Sequence, residues 1–226
     1  MDNLGHGRRR AAVDHAGTQA APPLDRRRRR HLQTREEILD AALEVMSEEG
    51  VAALNLTEVA RRVGLRQPSL YQYFDSKTAV YEALFSRGMR QHTVVLRDAA
   101  SAAGGGLAAL RAATIATVRF SVENPVLSQL LFTRAVPGFT PSAEAYRPGL
   151  EAHELLHTEL ATAVERNDLH PEAASERGRG LLIALAAGIS SLQEANDPGA
   201  TFDEGTFTPL IEPALEMYAR YFAPDR

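Results

Sequence analysis

Arg66, Gln67, Pro68, Ser69, Tyr71, Tyr73 and Lys77 fall within one stretch of twelve residues, and together they offer the contacts a protein needs to hold a nucleic acid. Gln67 can pair bidentately with adenine, Arg66 can reach guanine or a phosphate, and the methylene face of Pro68 suits a thymine methyl group. Ser69, Tyr71 and Tyr73 supply hydroxyls and Lys77 a compact cation, the types that anchor phosphates. Lys77 is the only lysine, the other 24 basic residues being arginine. Chance placement is the plain reading of that, and a phosphate anchor the functional one. Thr57, ten residues upstream of Gln67, adds a hydroxyl at the start of another helical pattern.

Short helices must position these groups. Thr34 with Glu37 is a capping-box pattern, and Ile38, Ala41, Ala42, Val45 and Met46 follow at helical spacing until Gly50. Thr57 opens a second helix, Gly64 supplies a turn, and a third runs from about Gln67 to Phe74 with Pro68 in its first turn. That is the size of a helix-turn-helix. Leu70 and Phe74 lie on the opposite side and should pack against Ile38, Val59 and Val63. For Phe74 a core role is the expectation; for Tyr73 core packing competes with groove contact.

Asp75 or Ser76 then caps a longer helix running to about Ala100, and Gly104-Gly105-Gly106 reads as a linker and domain boundary. Beyond it the pattern stays helical, over roughly 107–122, 125–133, 142–167, 172–195 and 206–222, and no strand pattern emerges. Residues 181–192 are apolar nearly all round, as at a helix-packed subunit interface. Ile211, Leu215, Tyr218 and Phe222 mark a second candidate face. The fold class is therefore all-α, with about nine helices: an N-terminal three-helix helix-turn-helix domain over 33–80 and a helical domain over 81–226 that is expected to dimerise.

The net charge of −4 hides an asymmetry. Residues 1–35 carry nine arginines against Asp2, Asp14 and Asp25, about +6, which leaves about −10 for the remainder. Residues 1–32 lack apolar periodicity and read as a disordered arginine-rich arm. Between Thr34 and His92 seven basic residues face nine acidic ones, so the reading unit alone would approach DNA poorly. The arm, through Arg28, Arg29 and Arg30 among Arg26–Arg30, is expected to enter the adjacent minor groove; the bland alternative is an inert solvated leader. The chain has no cysteine, and its longest apolar run is about half the ~20 residues of a membrane span. A cytoplasmic protein is the expectation.

Residues 34–90 resemble the DNA-binding domain of the tetracycline-repressor (TetR) family, whose third helix carries a Gly-Val-x-x-x-Thr/Ser-Leu-Tyr-x-His/Tyr-Phe-x-x-Lys pattern; here it reads Gly64-Leu65-Arg66-Gln67-Pro68-Ser69-Leu70-Tyr71-Gln72-Tyr73-Phe74-Asp75-Ser76-Lys77. The resemblance implies phosphate contacts at Thr57, Tyr71 and Lys77 and groove-facing residues at Arg66, Gln67, Pro68 and Tyr73. Glu58 departs from the family's namesake, which places a base-reading arginine there, so operator sequence does not carry over. The second half is similar more loosely: Asn124-Pro125-Val126-Leu127 and Ala187-Gly188-Ile189 resemble a subclass with Trp-His-Gly in the latter segment, and Ala186 and Ala187 replace its Trp and His. The resemblance further implies a homodimer on a near-palindromic double-stranded operator, a repressor released by a small apolar effector, and no enzyme activity or cofactor. Phe120, Phe132, Tyr146, His153 and His157 are the candidate pocket residues.

His153-Glu154-Leu155-Leu156-His157 matches the zinc-peptidase pattern His-Glu-x-x-His, with Glu176, nineteen residues beyond His157, as a candidate third ligand. In a chain with this many histidines and glutamates such a match arises at a rate of roughly 2%. A zinc metallopeptidase and a non-specific DNA-binding protein driven by the arginine arm are the two alternatives. No metal site is expected.

Overall fold

Ile38, Ala41, Ala42, Val45 and Met46 are buried on one face of the first helix, as their spacing requires. The computed structural model describes residues 26–224, and all regular elements among them are helical. The α-helices are α1 (Arg26–Glu49), α2 (Leu56–Arg62), α3 (Gln67–Leu70), α4 (Lys77–Ala102), α5 (Gly106–Glu123), α6 (Pro125–Phe132), α7 (Ala143–Glu165), α8 (Glu176–Asn196) and α9 (Ile211–Tyr221). Short 3-10 turns precede α2, α8 and α9. No helix among the described residues is long and apolar enough to cross a membrane.

Helix α1 begins at Arg26, eight residues before the expected start. Arginine is a good helix former and neither Gly nor Pro interrupts residues 26–49, so Thr34 lies inside the helix and caps nothing. Glu37 accepts a hydrogen bond from Gln33 Nε2 at 3.0 Å, one turn back. The expected disorder is thus corrected for residues 26–32; the rest of the arm, residues 1–25, lies outside the described residues. Asn55, not Thr57, caps α2: its Oδ1 accepts from the Thr57 N–H at 3.0 Å and from the Glu58 N–H at 3.4 Å. Regular helix in α3 ends at Leu70, short of Phe74, although the Tyr73 and Phe74 amides still donate to the Leu70 carbonyl at 2.9 and 3.1 Å. Ser76 caps α4.

One hydrophobic cluster joins α1–α3, the first half of α4 and α6, with Ile38, Val59, Leu70, Val80 and Leu84 fully buried. A second joins α5, α7, α8 and α9 around Val118, Leu160, Leu169, Ile211 and Leu215. The glycines at 104–106 do not act as a linker. All three have positive φ, between 66° and 87°, and form a tight turn that folds α5 back onto α4. Arg166 donates to the Gly104 and Gly105 carbonyls at 3.1 Å, and the Gly106 N–H donates to Glu159 Oε2 at 2.7 Å.

Helix α8 uses three faces. Gly178, Leu182, Ala186, Ile189 and Gln193 are buried in the second core. Ile183, Ala187, Ser190 and Glu194 turn toward a cavity. Leu181, Gly188 and Leu192 face outward, the leucines 38% and 47% exposed. Leu210 in the turn before α9, with Met217 and Tyr221 on α9, adds a second outward apolar set, each residue at least half exposed.

Candidate nucleic-acid interface and ligand cavity

Leu70 and Phe74 seat α3 on the first core, 0% and 2% exposed. The remaining side chains of the segment are thereby turned outward. Arg66, Gln67, Pro68 and Tyr71 are exposed, Ser69 and Tyr73 are half-buried, and Thr57 and Lys77 are exposed on the flanking helix starts.

Tyr73 is held by α1. The His31 ring stacks on it at 4.7 Å between centroids, an Arg35 guanidinium nitrogen donates to its carbonyl, and the Arg35 guanidinium lies 4.1 Å above the Phe74 ring. Part of the Tyr73 ring therefore serves packing, which leaves less of it for a groove. Lys77 Nζ donates to the Ala52 carbonyl at 3.2 Å, which tethers α4 to the turn before α2.

Glu58 accepts from Arg61 Nε and Nη2 at 2.8 and 2.7 Å and from Arg62 Nε at 2.9 Å. These bonds, that from Arg61 foremost, hold its carboxyl far below the usual range, at about 2. Arg62 also pairs with Glu48 at 2.6 Å and Glu44 at 3.5 Å, and Arg87 pairs with Asp40 at 2.6 Å and Glu36 at 3.4 Å. Much of the unit's positive charge is thus spent in tying α2 and α4 to α1. Glu58 is occupied by these partners, and the exposed Arg66, Lys77 and α1 arginines remain on the surface.

Arg28, Arg29 and Arg30 are exposed on the first turns of α1. A helix about 10–12 Å across cannot thread a minor groove about 6 Å wide. Insertion of Arg26–Arg30 into a minor groove as an unstructured arm would require these turns of α1 to unwind.

Behind the reading unit, α4, α5, α6, α7 and α8 enclose a cavity of about 550 Å³, within the range for small-molecule sites. Of the five residues expected there, Phe132, Tyr146 and His153 line it. Phe120 does not, being buried in the first core against the His92 ring at 5.3 Å. His157 is exposed and also lies outside the lining, because one helical turn of α7 carries it past the wall that His153 reaches. Sequence reasoning missed His92, a cavity residue only 6% exposed. Burial holds its imidazole neutral, with a pKa pushed down to about 4.

His153 Nε2 is 2.9 Å from the Tyr146 hydroxyl. Among the described residues no three His, Cys, Asp or Glu side chains gather as a metal site, so Glu176 does not complete a set with His153 and His157.

Residues 38–84 match the family model for bacterial regulatory proteins of the tetR family. The chain is 33% identical over 92 residues to the uncharacterized HTH-type transcriptional regulator YobS of Bacillus subtilis, a match covering 41% of this chain and 48% of that one. The chain thus spans about half the length of that relative. It is 26% identical over 163 residues to the HTH-type transcriptional activator FasR of Mycolicibacterium smegmatis, covering 72% of this chain and 71% of FasR. Among solved structures, the transcriptional regulator FadR of Bacillus subtilis, in complex with stearoyl-CoA, shares the fold with a TM-score of 0.65 at 15% identity, covering 81% of this chain and 97% of that one.

Proposed function

We propose that this chain, a member of the tetR family of bacterial regulatory proteins, is a cytoplasmic ligand-responsive repressor that binds a near-palindromic operator as a homodimer. Residues 33–80 act as the reading domain and 81–226 as the effector and dimerisation domain. The observation that carries the reading is the outward array of Arg66, Gln67, Pro68 and Tyr71 on a helix seated by Leu70 and Phe74. Gln67 reads a base, Tyr71, Thr57 and Lys77 hold phosphates, and Arg28, Arg29 and Arg30 hold phosphates flanking the groove. Two outward apolar stripes, on α8 and α9, support a two-fold contact of four helices. That symmetry would set the two α3 helices one DNA turn apart, about 34–36 Å.

The cavity, closed by α8 on one side and α4 on the other, supports release by a small apolar molecule; such a ligand works by binding the two arrangements of the dimer with different affinity. Selection of binding sites from random duplexes tests the reading. A palindrome is expected, and enrichment without any motif would instead mark a non-specific DNA-binding protein.

Gln67→Ala is expected to cost about 1–3 kcal/mol on the selected operator and to relax preference at one base position per half-site. An unaltered motif would remove Gln67 from the reading set. Replacing Arg28, Arg29 and Arg30 together by alanine is expected to weaken binding to all sequences. It should also flatten the slope of log affinity against log salt by about 0.9 for each phosphate that the variant no longer neutralises. A titration of affinity from low to high salt measures this, and an unchanged slope would show that the start of α1 stays off the DNA.

A further inference from the structure

The cavity wall carries hydroxyls of two kinds: those of Ser121, Ser128, Ser190 and Ser191, which can donate or accept, and those of three threonines. Thr114, Thr117 and Thr133 each spend their hydroxyl proton on a carbonyl one helical turn back, at 2.7, 3.0 and 2.7 Å. Their lone pairs are all they can offer a guest. Gln129 Nε2 donates to Glu194 at 3.3 Å. Thr117's proton is committed to Ala113, so the 3.3 Å contact between His92 and Thr117 requires His92 Nε2 to carry the hydrogen. His92 Nδ1 is then an acceptor, and it is buried without a partner.

The charges are one-sided. Glu159 and Glu194 line the cavity, and no lysine or arginine does so among the described residues. Glu159 is partly satisfied by the Gly106 amide, whereas Glu194 meets only the neutral amide of Gln129. The Phe132 and Tyr146 rings on the same wall can face a cation with their π-electrons.

We infer that the cavity is built for a lipophilic cation bearing N–H donors, a protonated amine on an apolar skeleton, and not for a carboxylate or a phosphate. The inference rests on the reading of this cavity as the effector site. An anion entering here would meet two carboxylates and no lysine or arginine. A protonated amine would satisfy Glu194, and its apolar part would lie against Met89, Leu96 and Leu156.

Three probes of one skeleton test this by calorimetry on the full-length protein: phenylbutylamine, phenylbutanol and phenylbutanoate. The amine is expected to bind about tenfold or more tightly than the alcohol, with the acid weakest. In Glu194→Gln, the amine-to-alcohol ratio should fall toward one, with the melting temperature checked to show that the variant is folded. Equal binding of amine and alcohol, or tighter binding of the acid, would overturn the cation assignment and leave the effector cavity standing. An amine preference that survives unchanged in Glu194→Gln would also overturn it. Failure of all three probes to bind would count against the effector reading itself and take the inference with it.

Discussion

Met217→Glu combined with Leu192→Glu is expected to convert the protein to a monomer and to lower operator affinity by about 10²–10⁴-fold. Met217 is 69% exposed and Leu192 47%, on the two outward stripes of α9 and α8, so each new carboxylate points away from the cores. Folding should therefore survive. In a dimer the second reading helix engages its half-site as an intramolecular event, and losing that linkage forfeits affinity of this order without touching any DNA contact. A like charge meeting its symmetry mate across a two-fold contact adds repulsion. Sedimentation and gel-shift measurements on the same preparation test the prediction together with a circular dichroism melt. A dimer of unchanged mass would move the interface to another face.

Phe74→Ala should have the largest effect on stability, about 3–5 kcal/mol. The ring is 2% exposed, and it receives both the core beneath α3 and the Arg35 guanidinium above. Its loss leaves a cavity under a helix of only four residues, Gln67–Leu70, which has little intrinsic stability to fall back on. Urea denaturation measures the loss. Tyr71→Phe supplies the contrast, because its exposed ring removes a hydroxyl and no core volume: stability should hold while affinity for all DNA sequences drops. A Phe74→Ala variant within about 1 kcal/mol of the parent would mean that the reading helix is not seated by its core face.

Much of this arrangement is legible in the chain itself. Helical spacing at Ile38, Ala41, Ala42, Val45 and Met46 foretells the buried face of α1, whereas of the all-round apolar 181–192 only the face of Leu182, Ala186 and Ile189 is buried within the chain. The recognition segment is legible because its outward residues and its two inward residues alternate within one turn. The errors come from places where local signals compete. Thr34 with Glu37 has a cap's pattern, but helix propensity from Arg26 onward runs through it. Asn55 is the better cap two residues ahead of Thr57. The triple glycine has a linker's composition, and only tertiary partners, Arg166 and Glu159, make it a fixed turn.

The cavity is the least legible part. His92 sits on a helix whose first half belongs to the reading unit, and nothing in its immediate sequence shows that the second half borders a void. His153 and His157 stand one turn apart, yet only one faces inward, a distinction of about 40° that depends on how α7 lies against α4 and α5. Phe120 is suitable by type, and packing beside His92 removes it.

Helix α4 starts at Lys77, directly after the recognition segment, and passes Met89 and His92 on the cavity wall before it ends. Fifteen residues separate Lys77 from His92, about 22 Å of helix. Under the proposed function the element would work as a lever with its short arm against the guest. A tilt of about 5° about His92 carries the Lys77 end through about 2 Å, comparable with the tolerance of a hydrogen bond to a base edge. On that reading, a shift of the wall by a fraction of an ångström would be multiplied at the DNA, and the length of one unbroken helix would set the gain.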